Sequence, residues 1–121
     1  MTRRHACLIL LLALPAGCGD DEPATTARDD RIAVRIDDFR YTPQTIRATP
    51  GVLRFTLTNR GRLAHTFRLE RGNDQIVAKV SSLLPGDRAG KRVRVRAGEY
   101  RFFCALSNHE ELGMYGTLIV K

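Results

Sequence analysis

Three residues in one short stretch of this sequence could do metal chemistry together. Cys104, His109 and Met114 are spaced as Cys-x4-His-x4-Met, and His65 lies 39 residues before Cys104. A thiol, two imidazoles and a thioether are soft or borderline donors. Sulfur with imidazole suits Cu(I), imidazole with thiolate also accommodates Cu(II), and two His with one Cys and a weak axial Met is the donor set of a blue-copper centre. Each residue alone has a plainer reading. A Cys after two phenylalanines is a small buried hydrophobe, a Met before a strand is core, and a lone His is a hydrogen-bonded structural residue. The counts argue otherwise. Once the first 17 residues are set aside, the chain holds two His, one Met and one Cys beyond Cys18, and all four fall at candidate ligand positions.

Those residues must be held by short strands. Ile32, Val34 and Ile36 alternate with polar or small residues. Val52 to Thr58 follows the turn Pro50-Gly51, and His65 to Leu69 follows Asn59-Arg60-Gly61. Ile76 to Val80 reads as a strand or a short helical turn, and Pro85-Gly86-Asp87 as a turn. Arg92 to Arg96 alternates, with Val93 and Val95 on one side and three arginines on the other. Tyr100 to Cys104 and Tyr115 to Val120 close the pattern. Seven or eight such runs with turns at close intervals predict an all-β sandwich or barrel. No phosphate-binding glycine loop and no GxSxG nucleophile elbow occurs, and the chain is not expected to be an enzyme.

The ends of the chain read differently. Arg3 and Arg4 precede an apolar run from Ala6 to Leu14. That run falls well below the roughly 20 residues that span a bilayer, so residues 1–17 are expected to be an export signal. Leu14-Pro15-Ala16-Gly17-Cys18 resembles a bacterial lipobox, with Pro15 where an aliphatic residue is usual, and lipidation is expected at Cys18. Residues 18–30 hold five acids against Arg28 and lack an apolar pattern, which predicts a flexible acidic tether. The formal charge of +7 then divides into −4 for residues 18–30 and +9 for residues 31–121, with the remaining +2 in the signal. A domain this basic attracts anionic partners or lipid headgroups. Export and the absence of an aromatic-lined basic surface argue against nucleic acid.

Residues 31–121 resemble small bacterial cupredoxins of the plastocyanin/azurin type. The resemblance rests on Asn59 to Phe67 around His65, and on Phe102 to Leu118 around Cys104, His109 and Met114, with the flanks Gly113-Met114 and Gly116-Thr117-Leu118. It implies a Greek-key β-sandwich binding one copper ion, cycling between Cu(I) and Cu(II), through His65, Cys104, His109 and Met114. It further implies a monomeric one-electron carrier outside the cytoplasmic membrane, anchored by its N-terminal lipid or free in the periplasm or medium. Its partners would be redox proteins of acidic character, of the cytochrome or copper oxidase/reductase type. Copper storage or delivery, and a copper-free interaction module, are the rival readings. Family members often carry Asn beside the first histidine, where it ties two ligand loops; here the neighbour is Thr66, whose hydroxyl is expected to give a looser tie. They also often carry Pro in the Cys-to-His loop, where this chain has Ser107-Asn108; a non-proline residue there offers an extra backbone N–H, which would stabilise the reduced state and raise the potential if it pointed at the Cys104 sulfur. His109 is expected to be the more exposed imidazole, ringed by Leu63, Leu106 and Leu112, with Glu110 and Glu111 making the rim mixed. The arginines at 92, 94 and 96 are expected to form a solvated strand face.

Overall fold

The computed structural model describes residues 22–121 except Asn73. The expected signal, residues 1–17, and Cys18 lie outside the described residues. Among the described residues there are ten strands, β1 (Thr25–Thr26), β2 (Arg31–Asp37), β3 (Arg40–Thr42), β4 (Thr45–Ala48), β5 (Gly51–Asn59), β6 (His65–Arg71), β7 (Gln75–Leu83), β8 (Arg88–Val95), β9 (Gly98–Phe103) and β10 (Tyr115–Val120). They form two sheets, one of six strands ordered β1-β4-β10-β9-β6-β7 and one of four ordered β3-β2-β5-β8. The all-β sandwich expected from the alternation is thus present, and the segment left open between strand and helix, Ile76 to Val80, is part of β7.

Period-two patterning explains which side of each strand faces in. In β2 Ile32, Val34 and Ile36 are buried while Arg31, Ala33 and Arg35 are exposed. In β8 Val93 and Val95 are buried between exposed arginines. Leu53, Phe55 and Leu57 of β5 meet Phe67 and Leu69 of β6, Phe102 of β9 and Leu118 of β10 in one core. Phe67 sits at its centre, with ring centroids 5.4 Å from Phe55 and 5.6 Å from Phe102. Among the described residues, all the fully buried hydrophobes lie between Ile32 and Val120, so this stretch supplies its own core.

The stretch expected to be a tether departs from that expectation over residues 22–30. Thr25 and Thr26 pair in parallel with Ile46 and Arg47 on the open edge of β4. The Ala27 N–H donates to the Arg47 carbonyl at 2.8 Å, Ala27 packs on the core, and Glu22 pairs with Arg40 at 2.7 Å. An unpaired edge strand accepts any short extended segment through backbone bonds alone, which needs no apolar pattern. Composition therefore gave no warning of β1.

Four connections meet at one end of the sandwich and build the site. Arg60 N–H donates to the Ile36 carbonyl at 2.7 Å, which brings the β5–β6 loop beside the β2–β3 turn. Asn59 is fully buried at their junction. Its amide donates to the carbonyls of Leu63 (2.9 Å) and Leu83 (2.8 Å), and its side-chain oxygen accepts from Gly61 N–H (2.9 Å). One side chain thereby satisfies the backbone of the loop that delivers His65.

Candidate metal centre

His65 opens β6 and is wholly buried. Its Nε2 lies 2.9 Å from Asp38 Oδ1, in the turn after β2. Hydrogen bonds from Arg62 N–H, from His65 and from Leu63 N–H hold the Asp38 carboxyl below its ordinary range, so it is an ionised acceptor. An acceptor-only partner requires Nε2 to carry a proton, and in the neutral imidazole that leaves a lone pair on Nδ1. That Nδ1 is buried and has no hydrogen-bond partner among the described residues. An unsatisfied buried polar atom costs about 1–3 kcal/mol, a cost removed if the atom ligates a metal. Gly61 is required beside this pair, because a Cβ there would collide with the Asp38 carboxylate.

Cys104 follows β9 and is buried 38 residues further along the chain than Thr66. Its Sγ accepts from Thr66 N–H at 3.4 Å and from the Thr66 hydroxyl at 3.6 Å. The same hydroxyl accepts from Ala105 N–H at 2.8 Å. Thr66 thus joins the two ligand-bearing loops by a bond of ordinary length, where the sequence led us to expect a looser tie. Among the described residues no donor from Ser107 reaches the sulfur, so the condition for that effect is not met. Ser107 sits exposed with φ of 44° in the turn closed by His109 N–H to the Leu106 carbonyl, and Thr66 supplies the backbone donor. Behind Thr66, Tyr41 donates its hydroxyl to the Thr66 carbonyl at 2.7 Å, and burial pushes the Tyr41 phenol far above its usual range, so it stays a donor.

The β9–β10 connection is wound into successive turns. Cys104 N–H donates to the Met114 carbonyl at 3.1 Å and Met114 N–H to the His109 carbonyl at 3.1 Å, so the backbone of Met114 clasps both other candidate ligands of the loop. The Met114 side chain is fully buried. Gly113, with φ of 112°, makes the bend before it, a conformation that L side chains rarely adopt. His109 places Nδ1 3.6 Å from Cys104 Sγ. One ligand atom from each of His65, Cys104 and His109 lies within 4.8 Å of the others.

Around this cluster the rim is apolar and partly exposed. His109 is half-buried, against a fully buried His65. Leu63 (44 % exposed) and Leu112 (51 %) stand out to solvent as expected, whereas Leu106 is half-buried and packs on the core. Leu84 (56 %), in the neighbouring β7–β8 turn, is a further exposed leucine at this end. Glu110 is paired with Arg101, whose guanidinium lies over the rings of Phe103 and Tyr115 at 5.2 and 5.3 Å, so part of the rim's acidity is neutralised.

Asp38, Asn59 and Phe39 were missed in the sequence. Phe39, at φ of 67°, sets its ring edge-on to His109 with centroids 5.1 Å apart. A bulky residue in the left-handed region is strained, and such strain is held where the surroundings demand it. The only sequence signal was Asp37-Asp38-Phe39, which looks like any polar turn.

Comparison with known proteins assigns the class. The chain matches the model of the cupredoxin-like domain over residues 6–120 and belongs to that family. Among curated proteins none matches by sequence. Among solved structures, the dithionite-reduced auracyanin of the photosynthetic bacterium Roseiflexus castenholzii superposes with a TM-score of 0.72 at 17 % identity, covering 78 % of this chain and 99 % of that one. Auracyanin A of the green thermophilic photosynthetic bacterium Chloroflexus aurantiacus, described as a "blue" copper protein, gives 0.65 at 15 % identity, covering 75 % and 99 %. Rusticyanin of Thiobacillus ferrooxidans gives 0.65 at 21 %, covering 81 % and 82 %. At these identities the likeness establishes the fold, and the sandwich is of the cupredoxin type. The cofactor implied by this family is one copper ion, and the donor set fits it: two imidazoles, a thiol and a buried thioether on the same loop, with one imidazole nitrogen left unpartnered.

Proposed function

We propose that the chain is a blue-copper electron carrier, in which His65 Nδ1, Cys104 Sγ and His109 Nδ1 would hold the copper and the buried Met114 thioether would be a further, weaker donor. The observation that carries this is the buried, unpartnered Nδ1 of His65 beside a buried thiol and a second imidazole. When bound, copper supplies a one-electron couple between Cu(I) and Cu(II). The residues of the chain do the rest. Asp38 fixes the tautomer and orientation of His65, the hydrogen bonds from Thr66 hold charge on the sulfur, and the clasp on Met114 sets the loop in one geometry. A stiff site of this kind admits little rearrangement when an electron arrives or leaves. The half-buried imidazole of His109, rimmed by Leu63, Leu84 and Leu112, is the natural place for a partner to approach. No substrate bond is made or broken, and the chain is a carrier and not an enzyme.

The export features of residues 1–18 support work outside the cytoplasmic membrane with Cys18 as a lipid anchor. Storage or delivery of copper fits less well. Beyond the candidate ligands the chain after Cys18 has no spare His or Met to pass an ion along. Voltammetry of the copper-loaded chain tests the reading. Reversible one-electron waves with fast exchange are expected. Copper that is released on reduction would instead favour delivery.

A further inference from the structure

We propose that the outer face of the four-stranded sheet docks on an anionic lipid bilayer. The strand register builds this face in rows. Arg31, Arg54 and Arg92 stand side by side across β2, β5 and β8, and Arg35, Thr58 and Arg88 form a second row. Between them lies a row of short side chains, Ala33, Thr56 and Gly90. The result is a basic groove with two adjoining hollows of about 590 and 340 Å³ that share Ala33, Thr56 and Arg88. Arg28 and Asp29 border the first hollow, and Arg60 the second.

Folding gives no reason for such a face. Like charges directly opposite one another across strands destabilise a sheet, and the Arg31–Arg54–Arg92 row sets three guanidinium-bearing residues in line. The ion pair recorded on these rows is Arg35 with Asp37 at 2.8 Å, which leaves Arg31, Arg54, Arg88 and Arg92 without a carboxylate partner among the described residues. Guanidinium groups in a fixed row match phosphate oxygens well, each with two parallel donors.

Position singles out the bilayer as the occupant. Glu22 is held by Arg40 of β3, the edge strand of this same sheet. Cys18 lies four residues earlier, a reach of at most about 14 Å when fully extended. An anchor there would keep this face close to the lipid surface, and this part of the argument rests on the reading of Cys18 given above. Cys104, His109 and Met114 hang from the six-stranded sheet, so a domain lying on its arginine face leaves the His109 rim free for a redox partner. The outward positions of β2, β5 and β8 carry no aromatic ring for stacking on nucleobases. Asp29 is the groove's own competitor for lipid phosphate.

The test uses copper-loaded residues 22–121, which contain the whole core, and co-sedimentation with vesicles of phosphatidylcholine alone or mixed with phosphatidylglycerol. Binding to the anionic vesicles only, weakened by salt, is expected. Replacing the first row (Arg31→Gln, Arg54→Gln, Arg92→Gln) is expected to weaken it roughly 100-fold. A control with equal charge loss on the other sheet (Arg47→Gln, Arg68→Gln, Lys79→Gln) is expected to weaken it less than tenfold. The row variant is also expected to melt no lower than the parent, because cross-strand repulsion is relieved. Equal losses in the two variants, no binding to anionic vesicles, or tighter binding to a DNA duplex or an acidic redox protein than to the vesicles would overturn the proposal. Both variants are expected to keep the visible spectrum of the parent, so failure here is distinct from failure of the copper reading.

Discussion

Replacing Thr66 by Val removes one oxygen and leaves side-chain volume nearly unchanged, so its effect isolates the tie between the two ligand loops. The hydroxyl is buried, accepts from Ala105 N–H at 2.8 Å and donates to Cys104 Sγ at 3.6 Å. Losing the first bond strands a backbone donor, at a cost of about 1–3 kcal/mol. Ala105 is half-buried, so water partly replaces the lost acceptor and the lower part of that range applies. The second bond, to sulfur, is weaker. We expect the metal-free variant to lose about 1–2 kcal/mol in denaturant unfolding, which for a domain of this size lowers the melting temperature by about 4–15 °C. Thr56→Val, on the outer face of β5, should change stability by no more than about 0.5 kcal/mol. Loaded with copper, the Thr66 variant should also show a lower reduction potential, because hydrogen bonds to the thiolate favour the electron-rich reduced state. Equal stability losses in the two variants, with an unchanged potential, would refute the reasoning.

Asp38→Asn keeps an acceptor beside His65 but removes a negative charge, so the oxidised site loses more stabilisation than the reduced one and voltammetry should report a higher potential. The same carboxyl is depressed in the folded chain, which fixes a sign: its contribution is complete above the ordinary Asp range and is lost as pH falls through the folded value. Unfolding of the metal-free chain followed from pH 7 to pH 2 should therefore show an acid-side loss that is smaller in Asp38→Asn. Gly61→Ala drives a methyl into Asp38 and should cost about 1–3 kcal/mol by denaturant unfolding, whereas Gly90→Ala, whose nearest neighbour is 3.9 Å away, should be nearly neutral. Tyr41→Phe leaves the buried Thr66 carbonyl without its donor and should cost about 1–3 kcal/mol in the same assay.

Much of the frame was legible because it depends on local rules. Alternation in β2 and β8 follows from period-two geometry, and Cys104, His109 and Met114 declare themselves because one loop holds them all. What escaped lies between distant segments. Asp38 meets His65 across 27 residues, and its capture depends on the β2–β5 pairing bringing two turns together. Asn59 reads as a turn residue, yet it is buried and satisfies three backbone groups. Phe39 adopts a conformation that its type disfavours, which no propensity anticipates. The strand at Thr25–Thr26 is recruited by an open edge of the sheet, a property of β4 and not of the recruited residues.

The most direct test is addition of one equivalent of Cu(II) to the metal-free chain while the visible spectrum is recorded. An intense blue absorption from thiolate-to-copper charge transfer, abolished in Cys104→Ser and with stoichiometry of one, is the expected result. A colourless chain, or copper bound equally well by the Cys104→Ser variant with the same spectrum, would contradict the assignment of His65, Cys104 and His109 as the copper site.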